Sequence, residues 1–164
     1  MIIYEEVLSE FQRRRVKYVL VGGIAMNLLG SLRTTADLDI LVEMSDENLA
    51  KIVKILKKQG YHVRQPVDPM KIADPKIRKD WIKNKNMKAF NFYKDKALKE
   101  VDIIIESPVA YDKAKPQAVP IRIGKMTLPV ISINHLIQMK KKANRPIDLA
   151  DLEELKWIEQ LRKE

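Results

Sequence analysis

Val21-Gly22-Gly23, thirteen further residues, and then Asp37-Leu38-Asp39-Ile40 form the stretch whose reading decides the fold. Upstream of the glycines, Val16-Lys17-Tyr18-Val19-Leu20-Val21 has the β-branched and aromatic content of a buried strand. Downstream, Ile24-Ala25-Met26-Asn27-Leu28-Leu29 has the composition of a short helix stopped by Gly30. A strand, a tight turn and a helix are expected, and at such a turn the missing side chains let backbone N–H groups approach an anionic phosphate. Leu38 to Val42 reads as a second buried strand. Strand alternation sends Asp37 and Asp39 to one face and Leu38 to the other. Two converging like charges repel and lose hydration, so an apolar strand has no structural use for them unless a cation or basic group lies between. The pair has the form of a metal clamp, although Asp-x-Asp also occurs as a plain cap or turn.

Working outward, the other elements follow from periodicity and punctuation. Ile3, Val7, Leu8 and Phe11 lie at helical spacing over residues 3–14. Ser45 caps a helix with an acidic first turn and a buried face of Leu49, Ile52, Val53 and Leu56, ending at Gly60. Tyr61 to Arg64 is a short strand, and Pro66, Pro69 and Pro75 then break regular structure. Two strands are expected over 88–93, with Phe90 and Phe92 in the core, and over 101–105. Residues 119–123 and 126–130 flank Gly124-Lys125 as a hairpin, and Pro120 and Pro129 place it at an edge. Ser132 caps a helix to about Ala143, and Asp148 caps a last one carrying Leu152, Leu155, Ile158 and Leu161.

Asp102 is the only charge inside Val101 to Ile105, and a buried carboxylate needs a partner. If its strand neighbours that of Asp37, three acids can hold two divalent ions roughly 3.5 to 4 Å apart. Lys140 and Arg145 are placed to reach phosphates from the helix and loop after the sheet, although Lys140 to Lys142 also read as a solvated helix face. Trp81, among Lys76, Arg78, Lys79, Lys83, Lys85 and Lys88, reads two ways. It is either a stacking ring on a basic surface for single-stranded or tRNA-like nucleic acid, or, with Ile82, the dock of a peripheral helix.

Composition bounds these readings. With no cysteine and only two distant histidines, His62 and His135, any metal rests on carboxylates, which suits magnesium or manganese rather than zinc. Lysine plus arginine outnumber aspartate plus glutamate 31 to 22, a net +9 that favours a polyanionic partner or reflects a lysine-rich solvated surface. The 164 residues, 46% hydrophobic, are read as one domain over 1–164 with a helical C-terminal part about 132–164. No run approaches a membrane span and the N-terminus lacks a basic region followed by an apolar core, so a cytoplasmic protein with no membrane partner is expected.

The glycine pair and Asp-Leu-Asp-Ile resemble the signature of DNA polymerase β-type nucleotidyltransferases. Arg33-Thr34-Thr35-Ala36, Glu100-Val101-Asp102-Ile103, and Leu136 to Lys140 through Arg145-Pro146-Ile147-Asp148 look like the small prokaryotic subgroup, related to nucleotidyltransferases of abortive-infection and toxin–antitoxin systems. The resemblance covers roughly residues 15 to 155. It implies an α+β fold with a mixed β-sheet flanked by helices, and two Mg²⁺ ions (or Mn²⁺) on Asp37, Asp39 and Asp102. It places NTP phosphates against Gly22 and Gly23, with Arg33, Thr35 and Arg145 also binding nucleotide and Lys140 as the phosphate-binding lysine. Arg33 has a second reading as a salt bridge locking the Asp37 turn. The resemblance also gives Asp102 the role of general base for the attacking hydroxyl. The implied reaction moves a nucleoside monophosphate from an NTP to a hydroxyl of RNA, tRNA or protein, releasing pyrophosphate. The alternative is a non-catalytic or regulatory nucleotide-binding protein, such as a toxin–antitoxin component with its partner protein. The resemblance to larger members is expected not to extend to their substrate-recognition module, which leaves the acceptor open.

Overall fold

β1 (Tyr18–Val21) and β2 (Asp37–Val42) run antiparallel with Val21 opposite Asp39, and β5 (Lys99–Ile104) lies parallel to β2 on its other side. The computed structural model describes residues 4–164. Among these, β3 (His62–Val63), β4 (Ala89–Lys94), β6 (Val119–Ile123) and β7 (Met126–Val130) complete one mixed sheet of order β3-β4-β5-β2-β1-β7-β6. The helices are α1 (Glu5–Arg13), α2 (Gly22–Leu29), α3 (Asp46–Lys58), α4 (Pro75–Lys85), α5 (Tyr111–Ala114), α6 (Ile133–Ala143) and α7 (Pro146–Lys163). This is the expected α+β arrangement.

Alternation divides the central strands into two faces. Leu38 and Ile40, Val101 and Ile103, and Phe90 and Phe92 are all fully buried on one face, where they join the apolar sides of α1 and α3 in a continuous core. Each such side chain contributes roughly 1.5–3 kcal/mol by leaving water. The opposite face carries Asp37 and Asp39, Glu100 and Asp102, and Asn91 and Tyr93, all only partly covered. Two links pin this frame. The Tyr4 hydroxyl accepts from the Glu100 N–H at 3.0 Å and donates to the Ala36 carbonyl, tying together the starts of β2 and β5. Buried Asn48 donates to the carbonyls of Lys17 and Glu43 and accepts from the Lys17 N–H, so all its polar atoms are satisfied.

Several expectations need correction. Ile3 lies outside the described residues, whereas Val7, Leu8 and Phe11 are buried as read. The glycine pair does not form a separate turn; it is the first turn of α2 itself. Residues 75–85 form a helix because Pro75 sits in the first turn, where it has no N–H to lose, and Asp74 caps it by accepting from the Lys76 N–H at 2.8 Å. Trp81 of that helix is 3% exposed and stacks on Phe90 with ring centroids 5.1 Å apart, so it is a core residue and not a nucleic-acid platform. Of the two hairpin strands, only β6 is at an edge. β7 lies inside it and tolerates Pro129 because its pairing with β1 is confined to Leu20 and Val130. Asp148 is not the cap of α7: Arg145 is, and Asp148 reaches back from the third helical position to the Arg145 N–H at 3.0 Å. Leu155 and Ile158 of α7 are buried, whereas Leu161 is exposed.

Candidate active site

Register brings the acids together. Asp39 lies directly beside Asp102 and Asp37 beside Glu100, so four carboxylates share the open face of two parallel strands. One oxygen each from Asp37, Glu100 and Asp102 lies within 4.8 Å of the others. Asp39 is the most deeply set. Burial, then the charges of Asp102 and Asp37, push its carboxyl up to about 7. Burial also raises Asp37, helped by Glu100 and Asp102. Burial raises Asp102 too, partly opposed by the Asn91 hydrogen bond. Carboxylates crowded until ionisation becomes unfavourable are a donor set in need of positive charge, and their hard oxygens fit a divalent cation such as Mg²⁺.

The glycines are required by this crowding. Gly22 has φ +68°, and a Cβ there would overlap the Asp39 carboxylate. At Gly23 a Cβ would overlap the Thr35 side chain, so Thr35 packs against the first turn of α2. A cleft of about 460 Å³ opens beside them, bounded by Gly22, Asp39, Asp102, Lys140 and Arg145, with an apolar wall from Leu136 and Met139.

Lys140 is not part of a solvated lysine face. Only 5% of it is exposed, while Lys141 and Lys142 are in solvent. Its ammonium stands 2.8 Å from Asp151 and 3.4 Å from Asp148. Asp148 accepts also from the Arg145 guanidinium at 2.8 Å, and Asp151 pairs with Arg33 at 2.6 Å. Burial opposes ionisation of Asp148, but the Arg145 hydrogen bonds and the charges of Arg145 and Lys140 prevail and hold its carboxyl below the usual range. The five groups form one chain of alternating charge with three cations to two anions, leaving an excess positive charge beside the cleft. Arg33 and Thr35 themselves do not line the cleft. Arg33 instead ties the loop before β2 to α7 through Asp151.

Sequence reasoning missed Asp148 and Asp151 as partners of Lys140, and missed Glu100, Asn91 and Arg64. Asn91 donates to Asp102 at 2.8 Å and to Glu100 at 3.2 Å, accepts from Arg64 Nε at 3.0 Å, and Arg64 also pairs with Glu100. Glu100 was within reach of sequence, since it stands two residues before Asp102 and so shares its face.

A family model described as aminoglycoside-2''-adenylyltransferase matches residues 4–155. The chain belongs to that family. It is therefore a nucleotidyltransferase of the polymerase β-like superfamily, as its motifs implied. Solved structures share the fold. The lincosamide antibiotic adenylyltransferase LnuA, lincomycin-bound, superposes with a TM-score of 0.61 at 18% identity, covering 93% of this chain and 93% of its own. ANT(2'')-Ia in complex with adenylyl-2''-tobramycin gives 0.58 at 16% identity, over 98% of this chain and 93% of its own. A solution structure of ANT(2'')-Ia gives 0.58 at 16%, over 97% and 86%. No curated protein sequence matches. These adenylyltransferases are described with antibiotics, so the expected RNA, tRNA or protein acceptor and toxin–antitoxin partner receive no support from them. Among the described residues no helix is long and apolar enough to cross a membrane.

Proposed function

We propose that the protein transfers the nucleoside monophosphate of an NTP, ATP in the first instance, to a hydroxyl of a small antibiotic-like molecule. The observation that carries this reading is the register of Asp37, Asp39 and Asp102 on one open face, with Asp39 pressed against the glycine turn that opens α2. Asp37, Asp39 and Asp102 would hold two divalent ions, Mg²⁺ by the hardness of their oxygens. When bound, such ions neutralise charge on the attacking and leaving oxygens.

The chain's own groups supply the rest. N–H groups in the first turn of α2, next to Gly22 and Gly23, face phosphate oxygens at the positive end of the helix. Lys140 and Arg145 lie on the cleft wall and, already partly neutralised by Asp148 and Asp151, add net positive charge for the triphosphate. The acceptor hydroxyl oxygen attacks the α-phosphorus, a P–O bond forms, and the bond to the pyrophosphate oxygen breaks. Asp102 takes the hydroxyl proton. Asn91 donates to one of its oxygens at 2.8 Å and so fixes the orientation of the carboxylate. Arg33 and Thr35 act one step back, fixing α7 and the α2 turn.

The test is incubation with each α-labelled NTP and Mg²⁺ or Mn²⁺ against aminoglycosides, lincosamides and total cellular RNA, beside an Asp37→Ala/Asp39→Ala variant. Labelled small-molecule product from the wild type alone is the expected result. Equal labelling by both proteins, or label confined to RNA, overturns the reading.

A further inference from the structure

The sheet face that carries the acids does not end at them. Register continues it across β4 and β3 as two polar rungs, Asp37–Glu100–Tyr93–His62 and Asp39–Asp102–Asn91. Arg64, just past β3, joins the second rung through its bond to Asn91 and lies 4.7 Å over the Tyr93 ring. Of these side chains only Asp39 and Asp102 also line the cleft assigned to the nucleotide. The acids therefore stand between the cleft and a shelf made by Glu100, Tyr93, His62 and Arg64. In-line displacement requires the acceptor to arrive on the side opposite the leaving pyrophosphate. With the triphosphate beside Lys140 and Arg145, that side is the shelf.

The charge of the shelf limits what it can seat. Asp37, Asp39 and Asp102 are committed to cations in the transferase reading, on which this inference rests. Glu100 is neutralised by Arg64 and also accepts from Asn91. Beyond these, the depression beside His62 sets two cations, Lys57 and Lys71, against one acid, Asp68. An acceptor bearing several ammonium groups needs an acidic bed, and a protein of net +9 repels it on approach. The groups that do face outward are a partly exposed phenol ring, an exposed imidazole and hydrogen-bonding edges, which favour stacking and polar contacts. We propose that this shelf is the acceptor subsite and that it selects a ring-bearing hydroxyl compound with at most one positive charge over a polyamine sugar.

The experiment presents α-labelled ATP and Mg²⁺ with neutral glycosides and nucleosides, the single-amine compound lincomycin and the polyamine tobramycin, and separates labelled products by charge. ATP binding is measured in parallel by calorimetry. Label on neutral or singly charged acceptors, with kcat/KM at least about tenfold above tobramycin, is expected. Tyr93→Ala should raise the acceptor KM about tenfold and leave ATP affinity unchanged. Arg64→Glu, at an exposed position, should shift preference about tenfold towards tobramycin by making the shelf acidic. Preferred labelling of tobramycin by the wild type overturns the proposal, as does a Tyr93→Ala variant with unchanged acceptor KM. The absence of any labelled product while ATP still binds also counts against it. Loss of ATP binding in the wild type would instead remove the transferase reading beneath it.

Discussion

Asp39 is where sequence, packing and chemistry meet most sharply. Its carboxyl sits at about 7 because burial and two neighbouring acids disfavour its charge. A raised carboxyl binds its proton more tightly folded than unfolded, so it adds stability below about pH 4 that is lost as the pH rises through about 7. In EDTA, urea unfolding of the wild type should therefore lose on the order of 1–3 kcal/mol across that window relative to Asp39→Asn. An equal slope in both proteins would show that Asp39 is not the strained group. Gly22 answers to the same carboxylate. Gly22→Ala combines a left-handed φ with overlap on Asp39, so it should cost roughly 1–3 kcal/mol and, by displacing the acid, about a hundredfold in turnover. Thermal unfolding and steady-state kinetics together check it. The two aspartates and the glycines were legible in sequence because alternation and the cost of an unpaired buried charge act within a few residues. Glu100 obeyed the same alternation but sits at the strand's start, where a glutamate reads as an ordinary solvated end.

The elements that carry the site were largely legible too, since amphipathic periodicity and Ser caps at Ser45 and Ser132 are local signals. α4 was hidden by its own Pro75, a residue that breaks a helix interior yet starts a helix. What sequence could not give was register, and the Asp39–Asp102 and Asn91–Asp102 pairings exist only once β2, β5 and β4 are aligned. The charge chain between α6 and α7 was likewise out of reach, because Lys140 and Asp151 are joined by how two helices cross. That chain makes a prediction at this scale. Asp151 is 3% exposed and holds both Arg33 and Lys140. Asp151→Asn leaves two cations poorly compensated, and removing one partner of a buried pair costs about 3–5 kcal/mol. The loss should appear as a lower melting temperature with faster amide exchange in α7 and the 31–36 loop, while α3 exchanges as before. A variant as stable as the wild type would mean that Lys140 and Arg33 find solvent unaided. Trp81→Ala tests the far face in the same way. Removing a ring stacked on Phe90 should cost about 3–5 kcal/mol without touching nucleotide affinity, whereas a fall in RNA or nucleotide binding with stability intact would return Trp81 to the surface role it was first offered.

At the scale of the whole molecule, the sheet is held by an apolar face and strained by an acidic one, and both span the same strands. Leu38, Val101 and Phe92 draw β2, β5 and β4 together on one side, while Asp37, Asp39, Glu100 and Asp102 repel across β2 and β5 on the other. A divalent cation bound only by the folded arrangement should therefore stabilise the entire chain and not a local loop. At a concentration about a hundred times its dissociation constant, such binding adds roughly 2.7 kcal/mol. For a chain of this length each kcal/mol raises the melting temperature by about 2–4 °C, so a rise of about 5–10 °C is expected with Mg²⁺ or Mn²⁺ above pH 7, where Asp39 is ionised. The rise should shrink as the pH falls below 7, because protons compete for the same carboxylates. NaCl at matched ionic strength serves as the control, since screening a net +9 stabilises through the surface and needs no acid cluster. Asp37→Asn/Asp39→Asn should start from a higher melting temperature in EDTA, with its repulsion relieved, and gain nothing specific from Mg²⁺. Were that variant to gain as much as the wild type, the cation would be binding elsewhere and the acidic face would be a source of strain with no metal to relieve it.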